Sequence, residues 1–173
     1  MPTDDDRNAF EEAIKNKNQE QIRALLQRDD VKELLLNKDE IGRLPIHYAC
    51  IHELDTSVCL QLILDASVEQ GIAKEMLEEN DTYGATCLHL ACDSNLSPDS
   101  LRLLLENLLK YTDIKKVLEK KDNNGWTCLH FACFGKFSTQ SLRILLCYLI
   151  KHADIKGMLE EQDVTGWTCL HLA

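Results

Sequence analysis

The 173-residue sequence predicts an all-α solenoid of helical repeats, with an extra short helix in each repeat. The first observation is a repeated twelve-residue phrase. It reads Asp39-Glu-Ile-Gly-Arg-Leu-Pro-Ile-His-Tyr-Ala-Cys50, then Asp81-Thr-Tyr-Gly-Ala-Thr-Cys-Leu-His-Leu-Ala-Cys92 and Asp122-Asn-Asn-Gly-Trp-Thr-Cys-Leu-His-Phe-Ala-Cys133. It opens a fourth time as Asp163-Val-Thr-Gly-Trp-Thr-Cys-Leu-His-Leu-Ala173. The second is its fixed period. The histidines stand at 47, 89, 130 and 171, steps of 42, 41 and 41 residues, and a constant period of this size marks a repeat architecture. The third is the leucine pattern behind each phrase, which has helical spacing.

Within the phrase, Gly42, Gly84, Gly125 and Gly166 fall in a polar turn before an apolar run, where glycine supplies a positive φ without steric cost. Thr86, Thr127 and Thr168 follow two residues later and can cap a helix by accepting a bond from a free N–H. The first copy has Leu44 there, so that side-chain cap is missing and Pro45 fixes the first turn.

A second helix comes next. Ser97-Pro98-Asp99-Ser100 combines a capping serine, a first-turn proline and an acid near the positive helix end. Leu101, Leu104, Leu105, Leu108 and Leu109 then share a helical face, which recurs as Leu142, Leu145, Leu146, Leu149 and Ile150; Leu60, Ile63 and Leu64 form the earlier copy. This predicts about four turns. A third, short helix is predicted by the triplets Ala73, Met76, Leu77; Ile114, Val117, Leu118; and Ile155, Met158, Leu159.

The first 38 residues echo this plan. Phe10, Ala13 and Ile14 make one face, Asn18 with Gln21 reads as a capping box before Ile22, Leu25 and Leu26, and Val31, Leu34 and Leu35 repeat the third-helix triplet. Polar residues dominate here, as suits a capping unit with a wet outer face. The expected organisation is a cap over 1–38, repeats over 39–80, 81–121 and 122–162, and the start of a fourth over 163–173, in one continuous domain. Ala173 falls inside a predicted first helix, which leaves Leu170 and Leu172 uncovered, so the natural chain is expected to continue.

The Thr-x-Leu-His-x-Ala core preceded by Asp-x-x-Gly resembles the ankyrin repeat, whose signature is T-P-L-H-x-A. The resemblance covers residues 39 to 173 directly. It departs in two ways. The family's proline survives only at Pro45, replaced by Cys87, Cys128 and Cys169, and the period exceeds the usual 33 residues by roughly eight. The resemblance implies that His47, His89, His130 and His171 bond to neighbouring backbone and to the threonine, tying adjacent units together. It also implies that the added third helix replaces the family's Gly-Ala-Asp-x-Asn turn and reshapes the concave edge. Long repeats of this kind resemble those of protozoan proteins and of bacterial proteins delivered into host cells.

Composition narrows the function. The net charge of −10 argues against non-specific binding to nucleic acid or anionic membranes, and leaves a solvated acidic surface or a basic protein partner. No apolar run reaches the roughly 18 residues of a membrane helix, and the start lacks an apolar signal region. Eight cysteines without a signal peptide favour a reducing, cytoplasmic location. Seven of them (Cys50, Cys87, Cys92, Cys128, Cys133, Cys147 and Cys169) fall in repeat-core positions or on predicted helices as small hydrophobes, while Cys59 is ambiguous.

Two chemical readings compete with a repeat core. Cys87-Leu-His89-Leu-Ala-Cys92 could ligate zinc, but five residues place the two thiols about 140° apart on a helix, unlike the short loop spacings of structural zinc sites. A Cys–His nucleophile needs one site, whereas near-identical copies suit a structural role. No enzyme, metal or cofactor is therefore expected. The surface signals are stronger. Trp126 and Trp167 follow the turn glycines where the earlier copies have Arg43 and Ala85, and Tyr83 precedes its glycine. Trp, Tyr and Arg are common binding anchors, although each ring could equally pack on the adjacent turn. Phe134 and Phe137 flank Gly135 in the loop between helices, either as further surface rings or, the favoured reading, buried under the extended second helix.

The expected function is a monomeric protein–protein interaction scaffold that binds a partner protein on its concave and turn-tip surface. Arg43, Tyr83, Trp126 and Trp167 would bind at the tips, and His52, Asp93 and Phe134 just beyond the first helices. The alternative is a substrate-recruiting portion of a larger enzyme or of a host-directed effector.

Overall fold

The computed structural model describes residues 2–52, 57–94, 96–135 and 137–173. Among these, the chain forms twelve α-helices and a closing 3-10 turn, with no strand beyond an isolated bridge between Asn80 and Thr86. None of the described helices is long and apolar enough to cross a membrane.

The helices form two layers. The first layer is α1 (Asp4–Lys15), α4 (Pro45–His52), α7 (Cys87–Asp93) and α10 (Cys128–Phe134), each packed on the next. The second is α2 (Gln19–Leu26), α5 (Val58–Glu69), α8 (Pro98–Tyr111) and α11 (Thr139–His152), again packed in series. The short helices α3 (Val31–Leu35), α6 (Ala73–Glu78), α9 (Ile114–Leu118) and α12 (Ile155–Glu160) fill the third position. A continuous core runs between the layers from Phe10 to Cys169.

Local chemistry explains the elements. Ser97 caps α8 by accepting from the Ser100 N–H at 3.2 Å, with Pro98 in the first turn, and Ser138 caps α11 in the same way at 3.1 Å. Asn18 caps α2 by accepting from the Gln21 N–H. The return contact is its own amide N–H to the Gln21 Oε1 at 3.3 Å, so the box closes between side chains. Thr3 and Asp6 form a complete box at the start of α1, a signal the sequence reading passed over.

Several expectations are corrected. Leu109 and Ile150 were placed on the core face, yet both are exposed; eight residues along a helix bring a side chain about 80° round from the first, off the stripe. Cys147 is exposed on α11 rather than core, and Cys59 is buried. Phe134 is 62% exposed instead of covered, because it ends α10 with its ring against the Trp126 ring of the turn tip, while Phe137 is partly buried against the core. The fourth phrase forms the 3-10 turn Cys169–His171 in place of a longer first helix.

Candidate protein-binding surface

The repeated aspartates build the turn tips. In each copy one carboxylate oxygen accepts two backbone N–H groups from its own turn. Asp39 takes Ile41 and Arg43, Asp81 takes Tyr83 and Ala85, Asp122 takes Asn124 and Trp126, and Asp163 takes Thr165 and Trp167, all between 2.7 and 2.9 Å. The following glycine bends the chain back at positive φ, +77° at Gly42 and +78° at Gly84.

Successive tips then bond to one another through backbone. The Thr82 N–H donates to Ile41 O at 2.8 Å, Asn123 to Tyr83 at 2.9 Å, and Val164 to Asn124 at 3.0 Å. The contact is close enough that a Cβ on Gly84 would lie 2.6 Å from Asn123 Oδ1 and 2.9 Å from its backbone nitrogen.

The second oxygen of Asp81 and of Asp163 takes a donor from the preceding repeat. Arg43 Nε donates to Asp81 Oδ2 at 3.2 Å, and Trp126 Nε1 donates to Asp163 Oδ2 at 3.0 Å. Arg43 and Trp126 occupy the same slot after their glycines. Ala85 has that slot in the middle copy and brings no side-chain donor, so among the described residues Asp122 Oδ2 receives only the Asn124 amide at 3.4 Å. In the first copy the Tyr48 hydroxyl donates to Asp39 Oδ2. These bonds hold Asp163 well below the ordinary carboxylate range, the Thr165 hydroxyl contributing most.

The histidines cap the start of each first helix. His89 Nδ1 accepts the Thr86 N–H at 3.0 Å and also contacts the Thr86 hydroxyl at 2.9 Å. That leaves Nε2 as the protonated nitrogen, which donates to Lys120 O near the end of the same unit at 3.1 Å. His130 and His171 take the same cap position against Thr127 and Thr168. His47 does so for the Leu44 N–H at 2.9 Å, so the first copy keeps a cap although its threonine is lost. Burial brings His47 and His89 each down to about 4.

Trp126 is half-buried within an aromatic run. Its ring lies 5.1 Å from Phe131 and 5.2 Å from Phe134, both edge-on, and Phe131 lies 5.3 Å from His89. The expected site residues therefore divide. Arg43 Nε and Trp126 Nε1 are committed to the next repeat. His52 is half-buried, stacked on Tyr48, with its pKa lowered by burial. Asp93 is exposed at the end of α7, where its carbonyl closely approaches Gly135. Tyr83, Phe134 and Trp167 are more than half exposed. Phe134 and Trp126 are brought into contact; Tyr83 and Trp167 project from separate tips.

Sequence reasoning missed two contributors. One is the aspartate, whose constant spacing before the glycine signals the double N–H bond. The other is Phe131, in the slot between His and Ala that holds Tyr48, Leu90 and Leu172 elsewhere. The cysteines of the zinc reading pack inside: the Cys87 thiol donates to Leu77 O at 3.9 Å and the Cys128 thiol to Leu118 O at 3.5 Å. Burial pushes Cys128 up to about 12. Among the described residues no three His, Cys, Asp or Glu side chains are placed to hold a metal ion.

Comparison with known proteins agrees with this geometry. A family model described as ankyrin repeats, in three copies, matches residues 12–147. No curated protein matches the chain.

Proposed function

Since the chain belongs to the ankyrin repeat family, whose members are generally protein–protein interaction modules and typically non-catalytic, we propose that it is a scaffold that binds a partner protein along its turn-tip surface. One observation carries this reading. The tips are locked to each other by backbone bonds from Ile41 to Thr82, Tyr83 to Asn123 and Asn124 to Val164, and large rings stand exposed along that locked row. A preordered surface loses little entropy on association, and Trp and Tyr anchors supply contact area at low conformational cost.

Tyr83, Asp93, Phe134 and Trp167 provide the direct contacts. Arg43, His52 and Trp126 hold the row in place and offer their exposed edges at its rim. The units run over 39–80, 81–121 and 122–162, with a cap at 1–38 and the opening of a further unit at 163–173. The chain acts as a monomer, without cofactor, nucleic acid or membrane. Its eight cysteines suit a reducing cytoplasmic setting.

The test is site-specific crosslinking in cells of the source organism. A benzophenone residue in place of Tyr83 or Trp167 should capture the same partner, and one in place of Val68, exposed on α5, should not. Equal capture from all three positions, or none from the tips, overturns the proposal.

A further inference from the structure

A groove of about 810 Å³ lies on the second layer, between α8 and α11, away from the turn tips. Its walls carry Arg102, Arg143, Lys151 and His152, with Leu109, Cys147 and Tyr148 between them. Arg102, Arg143 and Lys151 are exposed, and among the described residues none is in an ion pair. This concentration of unpaired cations sits in a chain of net charge −10.

The repeat scaffold does not impose that charge. One repeat earlier, the matching groove between α5 and α8 is lined by Asp65, Glu69 and Glu106, against Lys110 alone. The same backbone relationship therefore carries opposite signs in neighbouring grooves. Glu106 and Arg102 act in opposite directions on the Tyr148 hydroxyl in the groove wall.

We propose that the α8–α11 groove binds an acidic peptide segment of a partner protein. Its shape and charge spacing select this occupant. Arg143 and Lys151 are eight residues apart on α11, about 12 Å along the axis, too far to converge on one small anion. An extended chain rises about 3.3 Å per residue, so carboxylates roughly four residues apart meet both cations. The exposed Leu109 and the Tyr148 ring offer apolar contact to side chains between them. A concave groove admits a chain more readily than a flat bilayer, and three cations in an acidic protein fall short of the basic face that nucleic acid requires. The proposal is independent of the turn-tip reading.

The probe is a fluorescein-labelled twelve-residue peptide with Glu at every fourth position and Leu and Ser between, compared with its all-Gln counterpart. Fluorescence anisotropy gives affinity, and mass spectrometry follows iodoacetamide alkylation of the exposed Cys147 as a marker of occupancy. The Glu peptide should bind, weaken as salt rises, and slow Cys147 alkylation. Arg143→Gln/Lys151→Gln should reduce affinity by about ten-fold, and Arg143→Glu/Lys151→Glu by more, while Tyr83→Ala leaves it unchanged. Both positions are exposed, so folding should persist, and circular dichroism checks this. No binding at about millimolar peptide, equal binding of the Gln peptide or of the variants, or an unprotected Cys147 overturns the proposal. So does displacement by inorganic phosphate or by phosphatidylserine vesicles at equal charge.

Discussion

The indole N–H of Trp126 donates to the carboxylate of Asp163, thirty-seven residues on and in the next repeat, at 3.0 Å. The same slot in an earlier copy holds Arg43, which makes the same bond to Asp81 at 3.2 Å. Side chains of unlike chemistry thus serve one joint, because the joint needs only a donor aimed at a half-satisfied carboxylate. Trp126→Phe keeps the ring contacts but removes the donor, and should cost about 1 kcal/mol in chemical denaturation. Trp126→Ala also loses the packing on Phe131 and Phe134 and should cost about 2–3 kcal/mol. Equal stability of the two variants would show that the hydrogen bond, not the ring packing, carries the effect.

Arg43→Ala should also destabilise. The Asp81 side chain is fully buried and keeps both turn N–H bonds but loses the one donor that its other oxygen has among the described residues. A cost of about 1–2 kcal/mol is expected, checked by urea unfolding. Arg43→Lys should recover part of it, since a point charge can reach the oxygen without the guanidinium's geometry.

Two glycines separate backbone strain from crowding. Gly84 and Gly166 both adopt positive φ, yet a Cβ at 84 would collide with Asn123 whereas nothing lies within 4 Å of one at 166. Gly166→Ala should cost about 1 kcal/mol, the conformational penalty alone. Gly84→Ala should cost clearly more, because the Asn123 backbone must move and the bond to Tyr83 O stretch. Matching losses in a thermal melt would mean that the tips are not tightly joined.

Acid should loosen the stack before the carboxylates titrate. His47 and His89 each accept a backbone N–H at Nδ1, and a proton there would set two donors against each other. Burial lowers both to about 4, below the usual 6.5. The unfolded chain therefore takes up protons that the folded chain refuses. Stability should fall as pH drops from about 6.5 to about 4, by up to roughly 3 kcal/mol per histidine. Asp6 and Asp163 have lowered values, so what they contribute is lost only further down. His89→Gln can still cap as a glutamine at the third helical position and should flatten the slope between pH 6.5 and 4. An unchanged slope in that variant would assign the effect to other groups.

The helices were legible in the sequence because local signals agreed with burial. Ser97-Pro98 began α8, and Phe10, Ala13 and Ile14 fell on one buried face of α1. The ends of long stripes were less legible, since Leu109 and Ile150 had rotated off the core by their last turn. The role of the tip residues was not legible. Whether Trp126 faced solvent depended on Asp163, and whether Arg43 was available depended on Asp81, partners 37 and 38 residues away. Periodicity within one repeat carries no record of such contacts. The basic groove was hidden for the same reason: Arg102 and Arg143 belong to different helices and meet only when repeats stack.

In the proposed function a locked row of tips presents its rings to a partner. The most direct measurement is the affinity of the crosslinked partner, once purified, for Tyr83→Ala/Trp167→Ala by titration calorimetry, alongside the melting temperature of the free variant. Both rings are exposed, Tyr83 at 56% and Trp167 at 51%, so melting should be almost unchanged while affinity falls by ten-fold or more, about 1.4 kcal/mol. Wild-type affinity in a variant of unchanged stability would contradict the account.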